Sequence, residues 1–95
     1  MFSVVRHYQH ISNHDEFVQH VVDEFLPALQ GIPGFQAFHL IDVGDEGGRM
    51  MSVVYFDDEA SAEVGNQHSM EWVRANVGLF QAATLVEQGP VVVSS

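Results

Sequence analysis

The chain reads as an α+β domain of βαββαβ order, a four-stranded antiparallel sheet carrying two helices on one face. Three observations predict this. Stretches rich in β-branched and aromatic residues alternate with amphipathic stretches in the order strand, helix, strand, strand, helix, strand. The second and third strands are joined by DVGDEGGR, whose Gly and Asp density is that of a hairpin loop. Finally, 95 residues leave room for one core, so residues 1–95 form a single domain.

Residues 2–10, FSVVRHYQH, have the composition of a first strand. Ser12 or Asn13 then offers an N-cap, with acidic residues in the turn that follows. Phe17, Val18, Val21, Val22, Phe25, Leu26 and Leu29 fall at helical spacing, which predicts an amphipathic helix over roughly 14–30. Pro27 removes a backbone donor from its last turns and predicts a kink or early end, with Gly31 closing the helix. Pro33-Gly34 turns the chain into a second strand, about 35–43, and RMMSVVYFD supplies the third, about 49–57. Asp57 or Asp58 caps a second helical region, which Gly65 and Asn66 are expected to interrupt and Gly78 to loosen at its end. On a helical wheel Met70, Val73, Val77 and Phe80 form its buried arc, with Trp72 and Leu79 to the side. The last strand, TLVEQGPVVV, carries Gly89-Pro90 in its middle, which suits an edge position or a bulge.

Two of these strands are apolar on both faces. Phe35, Ala37, His39 and Ile41 alternate with Gln36, Phe38 and Leu40, while Met51, Val53 and Tyr55 alternate with Met50, Val54 and Phe56. Two helices cover one face only. An apolar second face marks an interaction surface, and a second copy of the chain packed across a two-fold axis is the commonest way to bury it. The expected partner is therefore the chain itself, with two sheets face to face as a barrel-like core.

Composition limits the chemistry. There are 13 Asp and Glu against 3 basic residues, all Arg, for a formal charge of −10. Such a surface repels phosphate backbones and anionic lipid, so neither nucleic acid nor membrane is an expected partner. Without Lys there is no Schiff-base amine, and without Cys no disulfide, thiolate nucleophile or cysteine metal site. The first residues, MFSVVRHYQH, lack the basic and long apolar regions of a signal peptide, and a cytoplasmic location is the expectation. His7, His10, His14 and His20 are not spaced as a ligand set, and no HExxH pattern occurs, so no metal is expected.

The whole pattern resembles the antibiotic biosynthesis monooxygenase-like group of dimeric α+β-barrel proteins, whose subunits are ferredoxin-like. The resemblance rests on VVRHYQ in the first strand, FLPALQGIPGF at the helix end, then SVVYFDDEASAE, MEWVRANV and a last strand with GPVVV. It implies a cofactor-free oxygenase. In such an enzyme a quinol- or anthrone-like substrate sits in an apolar pocket between helices and sheet, loses a proton, and passes an electron to dioxygen. The oxygenases of this group carry Asn, Trp and then Tyr on the second helix; here His68 stands four before Trp72, and the later Tyr position falls near Gly78. No His follows Trp72, which disfavours the haem-degrading arrangement.

His68, Trp72 and Asn76 lie at i, i+4 and i+8 and form one stripe supplying a proton acceptor, an indole donor and an amide donor. They are the candidate catalytic residues. Arg6 and Tyr8 share a strand face, and with His39 they are candidate substrate-binding residues. Structural roles stand beside these: Trp72 packed over a loop, Asn76 capping near Gly78, His68 exposed, His39 at the core or interface, and Arg6 paired with a carboxylate of the helices or of a partner copy. The leading expectation is a cofactor-independent monooxygenase acting on a small aromatic or quinol-like molecule. The alternatives are a non-catalytic ligand-binding or scaffold homodimer of the same fold, and an isomerase or lyase using His as a proton shuttle.

Overall fold

The structure, a computed structural model, describes residues 1–44, 48–79 and 81–95, with the backbone alone described over 81–84. The strands are β1 (Phe2–Gln9), β2 (Phe35–Asp42), β3 (Met50–Phe56) and β4 (Gln81–Pro90). They form one four-stranded sheet in the order β2-β3-β1-β4, with every described pairing antiparallel. The fold is the ferredoxin-like βαββαβ arrangement. β4 takes the edge position expected of it, but it begins earlier than its sequence suggested and ends at Pro90, so Gly89-Pro90 closes the strand instead of interrupting it. The chain beyond β4 is held to the start of β1 by Val91 N–H donating to the Met1 carbonyl at 2.9 Å.

The first helical run is α1 (His14–His20), a π-helical turn (Val21–Phe25) and α2 (Leu26–Gln30). Asn13 is the cap, its side chain accepting from the Glu16 N–H at 3.0 Å. Pro27 does not end the run. Leu26 N–H instead reaches back to the Val21 carbonyl, an i→i−5 bond that widens the turn just before the residue lacking a donor. The disturbance thus falls a turn upstream of the proline, and Gly31 caps α2.

The second helix, α3 (Glu59–Ala75), is unbroken through Gly65 and Asn66. Asp58 caps it, accepting from Ser61 N–H at 2.8 Å, and this hydrogen bond holds the Asp58 carboxyl below its ordinary range. Gly65 is there for space: a Cβ would stand 2.4 Å from Cζ of Phe56. The buried stripe of α3 is Ala62, Gly65, Ser69 and Trp72, not Met70 and Val77, which are 56% and 55% exposed. Small residues let the helix approach the sheet closely, and that approach, more than apolar content, sets its rotation. Phe80 lies outside the described residues.

Val4, Arg6 and Tyr8 of β1 and Met50, Ser52, Val54 and Phe56 of β3 are buried beneath the helices. β2 departs from plain alternation. Its register shifts between Phe35, opposite Phe56, and Ala37, opposite Tyr55. Gln36 is the extra residue, so Phe35 joins Phe38 and Leu40 against the core instead of lying with Ala37, His39 and Ile41. Those three share the opposite face with Met51, Val53, Tyr55, Val5 and Leu85, an open apolar surface on which Ile41 and Leu85 stand 40% and 56% exposed.

Candidate functional site

The interior between helices and sheet gathers five aromatic side chains from five elements. Tyr8 comes from β1, Phe17 from α1, Phe25 from the π-helical turn, Phe38 from β2 and Trp72 from α3. Trp72 stacks on Phe25 with centroids 5.0 Å apart and meets Phe17 and Tyr8 edge-on at 5.8 and 6.5 Å. Tyr8 meets Phe17 at 5.2 Å and Phe25 meets Phe38 at 5.8 Å, both edge-on.

At the edge of this aromatic interior, two donors from α3 converge on one carboxylate oxygen. Trp72 Nε1 donates to Glu24 Oε1 at 3.1 Å, and Asn76 Nδ2 donates to the same atom at 3.4 Å. Asn76, at the C-cap of α3, is oriented by a second bond from Nδ2 to the Trp72 carbonyl at 2.9 Å. The other oxygen of Glu24 lies 3.2 Å from Nδ1 of His20, one turn earlier. The His20 hydrogen bond is the main cause that holds the Glu24 carboxyl below its ordinary range; partial desolvation opposes it, and the bonds from Trp72 and Asn76 add to it. Glu24 was not singled out from sequence, and His20 was weighed only as a metal ligand. Their i, i+4 spacing is the signal that could have drawn attention to them, together with the same spacing of Trp72 and Asn76. His68 is half-buried on α3 and its side chain forms no hydrogen bond among the described residues, so the expected three-residue stripe divides.

A second polar group lies on the sheet beneath α3. Arg6, only 4% exposed, donates from Nη2 to Asn66 Oδ1 at 3.0 Å, and Asn66 Nδ2 donates to Gln88 Oε1 at 2.8 Å. A carboxylate partner from the helices is not found: among the described residues of the protomer, Arg6 has no Asp or Glu within ion-pair distance. Burial lowers the Arg6 pKa and raises that of neighbouring Tyr8, whose hydroxyl lies 3.3 Å from Ser52 Oγ. Arg6 and Tyr8 thus face the helices with Trp72. His39 does not, because it lies on the open face beside Tyr55, with ring centroids 6.4 Å apart. Among the described residues no three His, Asp or Glu side chains are gathered to hold a metal ion. None of the described helices is long and apolar enough to cross a membrane.

No family model matches the chain, and no curated protein matches it by sequence. Solved structures do match it in fold. SnoaB, a cofactor-independent oxygenase from Streptomyces nogalater, superposes with a TM-score of 0.80 over 98% of this chain and 94% of its own, at 13% identity. The ActVA-Orf6 monooxygenase of Streptomyces coelicolor, solved with nanaomycin D, gives 0.74 over 98% and 92%, at 15% identity. A dimeric ferredoxin-like protein from an uncultured marine organism gives 0.76 over 99% and 97%, at 16% identity. The chain has the ferredoxin-like fold found in the antibiotic biosynthesis monooxygenases.

Proposed function

We propose that this protein oxygenates a small aromatic or quinol-like substrate without a cofactor, in the space between helices and sheet. The observation that carries the reading is the convergence of the Trp72 and Asn76 donors on one oxygen of Glu24 at the edge of the aromatic interior. Two donors fixed on a carboxylate oxygen are a cradle suited to a substrate oxyanion. Substrate entering beside Trp72 displaces Glu24 from the cradle, and the proton of its acidic hydroxyl or activated carbon leaves by way of Glu24 and His20. The anion gives one electron to dioxygen, the carbon radical recombines with superoxide, the resulting peroxide anion takes the proton back by way of His20 and Glu24, and loss of water from the hydroperoxide leaves a carbonyl. The aromatic walls exclude bulk water while these charges develop. The similarity in fold to a cofactor-independent oxygenase agrees with this reading.

The test is oxygen consumption by metal-free protein with a panel of quinols and anthrones. Uptake is expected without added metal, and it should fall about 100-fold or more in Trp72→Phe, the loss typical of removing an oxyanion donor. Uptake that is indifferent to Trp72→Phe removes the basis of the proposal.

One observation favours a second reading. The interior rings already touch one another, Trp72 and Phe25 at 5.0 Å and Tyr8 and Phe17 at 5.2 Å, as in a packed core. A homodimer that binds a ligand without transforming it would show saturable binding and no oxygen uptake. Both readings carry the same assembly, a homodimer in which the open apolar sheet face is covered by a second copy.

A further inference from the structure

We infer that Arg6 is the anchor of an anion subsite, and that the preferred ligand of the helix–sheet space is an aromatic molecule bearing a carboxylate or an equivalent fixed negative charge. The inference deepens the proposed function, resting on it for the place where ligand binds.

Arg6 is one of 3 Arg in a chain without Lys and of formal charge −10, yet it is only 4% exposed and meets no carboxylate among the described residues. The groups around it are uncharged. Ser52 and Val86 are its cross-strand neighbours on β3 and β4, Tyr8 lies beside it, and Asn66 reaches it from α3. A guanidinium presents several N–H donors in a planar fork, and here a single neutral amide oxygen accepts from it among the described residues. Burying a cation without a counter-charge is costly, and that cost is recovered when an anion binds. A planar carboxylate matches the fork in two parallel hydrogen bonds.

The nearest solvent lies at the β4 edge. β4 is an edge strand, and α3 packs over β1 and β3. Val86, directly opposite Arg6 on the helix-facing side of β4, is 42% exposed, and Gln88, two residues on, is exposed as well. The approach to Arg6 runs between α3 and β4, over Val86, and is bridged by the Asn66–Gln88 hydrogen bond, which an entering ligand must part. It ends beside Tyr8, whose ring is 6.5 Å from that of Trp72. An aromatic ring against these two places an attached carboxylate on the Arg6 side.

Calorimetric titration with 2-naphthoate and its uncharged isostere 2-naphthamide tests this without requiring turnover. Naphthoate is expected to bind about 10- to 100-fold more tightly, the worth of a hydrogen-bonded charge. Arg6→Gln should abolish the preference and Arg6→Lys restore part of it. Because Arg6→Gln alters a buried site, Asn66→Asp provides the second arm: a carboxylate placed on the partner of Arg6 fills the subsite from within and should erase the preference in a folded protein. Equal binding of the two probes, binding of neither, or a preference that survives Asn66→Asp overturns the inference. Absence of oxygen uptake alongside a naphthoate preference would sink the oxygenase reading and leave the anion subsite standing.

Discussion

Gly65 shows how one absent methyl group positions a helix. Phe56, 1% exposed at the end of β3, projects its ring into the place a Cβ at position 65 would take. The ring and α3 can be this close only because nothing stands between them, and Trp72 on the same stripe reaches the aromatic interior as a result. Gly65→Ala should destabilise the fold by about 1–3 kcal/mol through overpacking, despite the better helix propensity of Ala. Urea denaturation measures it. A neutral or stabilising change would mean that the Phe56 ring turns aside freely. Glu24 illustrates the reverse case, an exposed residue whose importance lies wholly in what it touches.

Among the elements, the π-helical turn is the one that brings Glu24 to α3. Its carboxylate ties Val21–Phe25 to Trp72 and Asn76 while His20 holds it from behind. Because these bonds depress the folded-state pKa of Glu24, they contribute stability above its unfolded value that is lost as pH falls through the folded one. Between about pH 6 and about pH 3 the wild type should therefore lose more of its urea resistance than Glu24→Gln does. Parallel losses in the two proteins would argue against the clamp. The element order, the Asn13 and Asp58 caps and the edge position of β4 were legible in the sequence because each rests on local chemistry. The rotation of α3 was not. Counting apolar residues favoured Met70 and Val77, whereas steric fit chose Gly65 and Ser69. For the candidate site, the Trp72–Asn76 spacing could be read, but the contacts with Glu24 and of Arg6 with Asn66 join residues 48, 52 and 60 positions apart, which no local pattern reveals.

At the scale of the whole molecule, one face of the sheet is finished and the other is not. The helices seal Val4, Tyr8, Val54 and Phe56 beneath them, while Ala37, His39, Val53 and Tyr55 line the side they leave uncovered. A charge at the centre of that side would be buried in the proposed dimer and solvated in a free protomer. Val53→Asp should accordingly shift the protein from dimer to monomer in sedimentation velocity, with little loss of helical circular dichroism. A wild-type protein that sediments as a monomer would refute the assembly. The bulge at Gln36 bears on the same division of faces. It acts as a frameshift written into β2: Phe35 is read in one phase, and everything from Ala37 onward in the other. With that single extra residue the strand gives Phe35 to the helix side, yet still delivers Ala37, His39 and Ile41 to the opposite side. A protein of this topology can therefore add a ring to its interior by the length of one strand, leaving what the outer face presents from Ala37 onward untouched.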